Sequence, residues 1–219
     1  MIKLKDILLE GKPSSIFVPR RLEDRVERLI KNYIRNGNKG NLSLSGLNLT
    51  VLPEILKNIS VGRDFFCGTN NLTSLENCPK TVGGSFYCDD NKLTSLDGAT
   101  EYVGGSFVCS NNLLTELPSM LKDIDVEKFF NCANNKLTSL NNSPKTVGGS
   151  FYCGHNQLIS LKGAPTYVGN NFVCSNNLLT SLDGVPKFVG ENFICRFNSV
   201  KFTEDQVRAV CEVKGHIFV

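Results

Sequence analysis

From Leu42 onward, apolar and polar positions alternate in short bursts, and the bursts recur in phase. Seven cysteines, Cys67, Cys88, Cys109, Cys132, Cys153, Cys174 and Cys195, are spaced by 21, 21, 23, 21, 21 and 21 residues. A valine precedes each by six positions and a phenylalanine by two, and an asparagine follows by three, from Asn70 to Asn198. Leucines then recur in two further columns, from Leu72 and from Leu75. A fixed period in the low twenties predicts a solenoid. Phe and Cys are separated by one residue, so both point inward from a short strand, and one strand per repeat stacks into a continuous parallel sheet.

Each column has a physical task. Buried asparagines must satisfy two donors and an acceptor, which backbone groups of adjacent turns can do. Outward neighbours carry no such duty, so Asn112→Ala is expected to cost about 1–3 kcal/mol and Asn111→Ala under about 0.5 kcal/mol. Gly62, Gly83, Gly104, Gly148, Gly169 and Gly190 precede the strand, which calls for positive φ or close backbone approach, and Glu127 alone breaks the column. The segment Pro79–Cys88 is repeated exactly at Pro144–Cys153, and Phe107–Leu114 matches Phe172–Leu179, so a three-repeat block is duplicated.

The pattern Phe-x-Cys-x-x-Asn-x-Leu-x-x-Leu resembles the leucine-rich repeat, with Phe and Cys at the two strand leucines. Leu42–Pro53 has the same motif with leucines in place, so Leu44 stands in the cysteine column. The resemblance implies an α/β solenoid with ~21-residue repeats, a parallel concave sheet, a mostly irregular convex side and helical N- and C-terminal caps. It also implies that partners bind the concave face. The repeats run over residues 42–198.

Solenoid ends need covering. Residues 11–41 are read as a linker and N-terminal cap, with an amphipathic helix near 20–36 whose apolar face is Leu22, Val26, Leu29, Ile30 and Tyr33, stopped by Gly37. Its other face carries Arg21, Arg25, Arg28 and Arg35, which suits either a solvated cap or nucleic-acid binding; the solvated cap is preferred. Residues 199–219 are the C-terminal cap, with a Thr203/Gln206 capping box, Val207, Val210 and Cys211 facing inward, and a last strand at 216–219. Residues 1–10 resemble the capsid-targeting peptides of large tailed phages: Leu8, Glu10 and Gly11 match the motif at which such peptides are cut. That resemblance implies cleavage between Glu10 and Gly11 and packaging in a phage head.

Net charge is +3 over 219 residues, and the excess is N-terminal, with 11 Lys+Arg against 6 Asp+Glu in residues 1–60. No run is apolar enough to span a membrane, and the first residues form no secretory signal. Nine cysteines, an odd number, then point to a reducing, cytoplasmic setting, in the virion and host cytoplasm if the phage resemblance holds. Cysteines one strand apart sit wider than a disulfide prefers. There is no Cys-x-x-Cys and no Walker or dinucleotide glycine pattern, so neither metal nor cofactor is expected.

Function is sought on the outward strand positions. Phe66, Tyr87, Val108, Tyr152, Val173 and Ile194 form an apolar stripe, interrupted by Asn131, and Asp89, Asp90 and His155 lie on its polar border. Such a stripe suits protein binding. Adjacent strand residues point to opposite faces, so Asp89 and Asp90 make a poor acid–base pair, and no catalytic constellation stands out. The expectation is a non-enzymatic module for a protein partner, a bacterial host protein if the phage resemblance holds. The alternatives are a structural component of a phage particle and nucleic-acid binding through the basic helix.

Overall fold

The computed structural model describes residues 20–219, and Glu10 and Gly11 lie outside them. Each repeat contributes a two-residue strand, beginning with Leu42–Ser43, Phe65–Phe66 and Phe86–Tyr87 and ending with Ile217–Phe218. Nine of these form one parallel sheet in a single register, in which Leu42 faces Phe65 and Phe65 faces Phe86.

The phenylalanines form a fully buried file. Their ring centroids lie 5.2–5.9 Å apart from Phe65 to Phe193, and all are stacked except the edge-on pair Phe86–Phe107. Beside them run the cysteines, whose nine thiols are free and buried. Burial pushes the Cys132 thiol up to about 12 and Cys88, Cys109 and Cys153 well above the ordinary range. These thiols are inert core groups.

Asparagines stitch turn to turn. The Asn112 side-chain amide donates to the carbonyls of Cys88 (3.1 Å) and Cys109 (3.2 Å), while its Oδ1 accepts from the Leu93 N–H at 3.0 Å. Asn91, Asn135, Asn156 and Asn177 repeat the arrangement. To bring each asparagine inward, the preceding residue turns the corner in the left-handed conformation. Thr69, Asp90, Asn111, Asn134, His155, Asn176 and Phe197 all have φ between 52° and 58°. Asn and Asp tolerate that region; Thr and Phe are rare there.

The convex side is more ordered than an irregular return. Two kinds of turn build it. From Leu44 to Cys67 and from Cys109 to Cys132 the step is 23 residues, and each of these turns carries Leu-Pro-x-x-Leu-Lys-x-Ile. That segment forms the 3-10 helices Glu54–Asn58 and Ser119–Asp123, with Leu56 and Leu121 buried. The 21-residue turns instead stay extended and build a second parallel ladder. Thr81–Val82 pairs Tyr102–Val103, and a four-stranded sheet runs from Thr146–Val147 to Glu212–Val213. Between Val103 and Val126 this ladder is broken. The glycine column follows from it: φ is not positive there, but a Cβ on Gly169 or Gly190 would fall on the carbonyl oxygen of Gly148 or Gly169. Glu127 begins a new stretch of ladder, with no earlier turn paired against it.

Both ends are closed. The helix Arg20–Arg35 buries Val26, Ile30 and Tyr33, and Gly37 ends it at φ 70°. At the other end Thr203 and Gln206 form the capping box of the helix Glu204–Arg208. Val207 and Cys211 are buried, but Val210 is 53% exposed. The inward assignment of Val210 fails because the helix stops at Arg208 and the chain turns outward. The last two strands then extend both sheets.

The corner geometry revises the expectation for Asn111. Asn112→Ala should cost about 1–3 kcal/mol by stranding backbone groups. Asn111→Ala, although exposed, should cost about 1 kcal/mol, because alanine lacks asparagine's tolerance of positive φ. Asn111→Gly should be close to neutral. Denaturant unfolding of the three variants measures this; an Asn111→Gly loss equal to that of Asn111→Ala would contradict the backbone origin.

Candidate protein-binding face

One side of every strand in the nine-stranded sheet looks away from the core. Because the register is exact, the residues between Phe and Cys stand in one file: Phe66, Tyr87, Val108, Asn131, Tyr152, Val173 and Ile194. The file is half-buried rather than open. Phe66 and Tyr87 stack with centroids 4.7 Å apart and planes at 8°. Val108 is only 6% exposed, so its assignment as a solvent-facing contact is corrected. It is flanked in register by Tyr87 on one strand and Asn131 on the other.

Asp89 and Asp90 are brought together, against the expectation from strand alternation. The left-handed turn at Asp90 (φ 52°) intervenes, so the two carboxyl groups influence each other. Partial burial raises the Asp89 carboxyl above the usual carboxylate range; its own backbone N–H offsets part of this, and the neighbouring Asp90 carboxyl adds to the rise. Asp89 also leans across the sheet: its Oδ1 lies 2.9 Å from where a Cβ on Gly68 would sit. Farther along, exposed His155 has its Nε2 3.2 Å from the Asn176 amide nitrogen. Arg196 packs its guanidinium over the Phe218 ring at 5.0 Å, and Phe197 is 77% exposed. Among the described residues no cluster of His, Cys, Asp and Glu could hold a metal ion, and no helix is long and apolar enough to cross a membrane.

Sequence reasoning missed a second polar ladder on the opposite margin. The Asp64 carboxylate accepts from the Ser85 N–H (2.7 Å), Ser85 Oγ from Ser106 N–H (3.0 Å), and Ser150 Oγ from Asn171 N–H (3.2 Å). Asn171 and Asn192 continue it toward His216. The signal was legible as a small polar residue before each strand phenylalanine, with Phe129 as the exception.

No protein-family model and no curated protein matches the chain. Solved structures do. The leucine-rich repeat domain of a Shigella effector superposes with a TM-score of 0.63 at 18% identity, covering 92% of this chain and 90% of that one. The fold is a leucine-rich repeat solenoid. The leucine-rich effector YopM from Yersinia pestis aligns at TM-score 0.52 and 23% identity over 80% of this chain. YopM from Yersinia enterocolitica aligns at 0.54 and 21% over 89%. This leucine-rich repeat chain spans about half of each YopM chain, 54% and 49%.

The raised Asp89 carboxyl sets a pH signature. Its ionised form is disfavoured by folding, so the associated loss of stability is absent below both carboxyl pKa values and grows as pH rises from the unfolded value, near 4, through the folded one. Asp89→Asn should therefore be more stable than the parent at pH ~7 and indistinguishable in relative terms below about pH 3. Thermal midpoints across that range check it; a gain that persists undiminished in acid would assign the effect to something other than ionisation.

Proposed function

We propose that this chain is a non-enzymatic interaction module that holds a protein partner on its concave face. The observation supporting this is the continuity of that face. One unbroken register of nine strands lines up Phe66, Tyr87, Tyr152, Val173 and Ile194 as a half-exposed apolar centre. The corner residues and Asp89, Asp90 and His155 give it a polar border. An apolar centre with a polar rim is the composition of a protein interface, and aromatic residues dominate binding energy in such settings. Val108 stands buried within the same file. Tyr87 and Tyr152 occupy equivalent places in the duplicated blocks and are the primary anchors. A partner recovered from bacterial lysate, identified by mass spectrometry and then purified, should bind Tyr87→Ser/Tyr152→Ser at least ~10-fold more weakly, equivalent to ~1.4 kcal/mol, with the fold intact. Unchanged binding by that variant, together with loss on charge reversal of Arg21 and Arg25, would move the site to the N-terminal helix.

A finer part of the proposal concerns delivery. The protein is carried in a phage head, is trimmed to begin at Gly11, and then engages a bacterial host protein. Leu8, Glu10 and Gly11 support this, and it accords with two of the structural neighbours being described as effectors. Protein from purified virions should begin at Gly11; an intact Met1 or Ile2 start, or absence from virions, would overturn it.

A further inference from the structure

The internal duplication provides its own comparison. Pro79–Cys88 and Pro144–Cys153 are identical, so the two turns present the same strand and the same tyrosine. They diverge at the next two residues, which are Asp89–Asp90 in the first copy and Gly154–His155 in the second. The preceding strand diverges at matching places: Phe66 and Gly68 stand where the second copy has Asn131 and Ala133. These differences converge on one area of the concave sheet, because Phe66 pairs with Tyr87 and Asp89 leans over Gly68. The columns that build the solenoid are the same in both copies.

We propose that Phe66, Tyr87, Asp89 and Asp90 form a subsite for an arginine side chain of the protein partner. The proposal rests on the concave-face reading and specifies its chemistry. Three features carry it. The Phe66 and Tyr87 rings, stacked at 4.7 Å and 8°, make a rigid aromatic block. In register with Phe66 on its other side is Ser43, a small exposed residue that leaves the ring flank uncovered. The Asp89 carboxylate reaches over Gly68 toward the strand of Phe66, and no ion pair joins Asp89 or Asp90 to a Lys or Arg among the described residues. Two adjacent carboxylates beside an aromatic surface call for a cation that is also flat. A guanidinium is planar, weakly hydrated, able to stack on a ring and able to fork across carboxylate oxygens. A lysine ammonium is a compact, strongly hydrated point charge that matches the acids but not the rings. Gly154 and His155 in the second copy offer neither acid, so the two copies read different chemistry from the same scaffold.

The test uses the isotope-labelled full chain and three synthetic probes: acetyl-Gly-Ser-Arg-Ser-Gly-amide and the same peptide with lysine or citrulline at the centre. In amide NMR titrations the arginine peptide should shift Gly68, Asp89 and Asp90. It should bind about 5-fold or more tightly than the lysine peptide, and the citrulline peptide should leave the spectrum unchanged. Asp89→Gly/Asp90→His should abolish the response. It installs the pair that the second copy already carries after the same strand, so the fold accommodates it. Asp89→Asn/Asp90→Asn, which preserves shape, should do the same. Equal binding of the lysine and arginine peptides, shifts spread over other surfaces, or an undiminished response in both variants would overturn the subsite. A partner that depends on Tyr87 and Tyr152 but binds Asp89→Gly/Asp90→His normally would overturn it too, and would leave concave-face binding standing.

Discussion

The hydrogen bonds of the buried asparagines fix everything else. A two-residue strand is too short to specify its own register, and a one-residue slip would reverse every side chain. Each asparagine removes that freedom by joining carbonyls of its own turn and the previous one, as Asn112 joins Cys109 and Cys88. With the turns locked one above another, the phenylalanines must stack, the thiols must line up, and the outward residues must form a file. The same constraint has a cost. Drawing the asparagine inward forces the residue before it to positive φ, even where that residue is Thr69 or Phe197.

That enforced corner shapes the outer face. It rotates Asp90 back toward Asp89, so two carboxylates meet where a plain strand would have separated them. It also supplies the polar border along the apolar file. The core columns leave little choice of residue, whereas the positions just after each cysteine vary from Gly68 to Asp89 to Arg196. These positions join the ladder through their backbone carbonyls, which any residue supplies, so their side chains are free to vary, which is how a repeated scaffold acquires a non-repeating surface.

Most of the architecture was legible because solenoid contacts are between neighbours at a fixed period. Column identity gave the strand positions, the inward Phe and Cys, the role of Asn112 and the caps around Val26 and Thr203. What escaped depends on backbone conformation that residue type alone does not declare. Asp90 and Asn111 read as ordinary strand-edge residues until their φ is known. Val108 reads as exposed until its place between Tyr87 and Asn131 in the packed file is known. Val210 fits a helical face that ends before reaching it. The convex ladder was hidden because the valine column sits in strands whose hydrogen bonds leave no mark on side-chain pattern.

The gap in that convex ladder between Val103 and Val126 falls at the boundary of the duplicated blocks, inside a 23-residue turn. In a repeat protein, stability is close to a sum of intrinsic terms and nearest-neighbour couplings. Everywhere two 21-residue turns meet, a strand ladder runs on both sides of the solenoid; at this one seam the convex ladder is missing. The core and the concave sheet continue across it, so the seam is where coupling between neighbouring turns loses one of its two ladders. Partial opening under denaturant is expected to stop at this seam, with amide protection differing on its two sides. An ancestral copying event survives as a boundary in the energetics of the present chain.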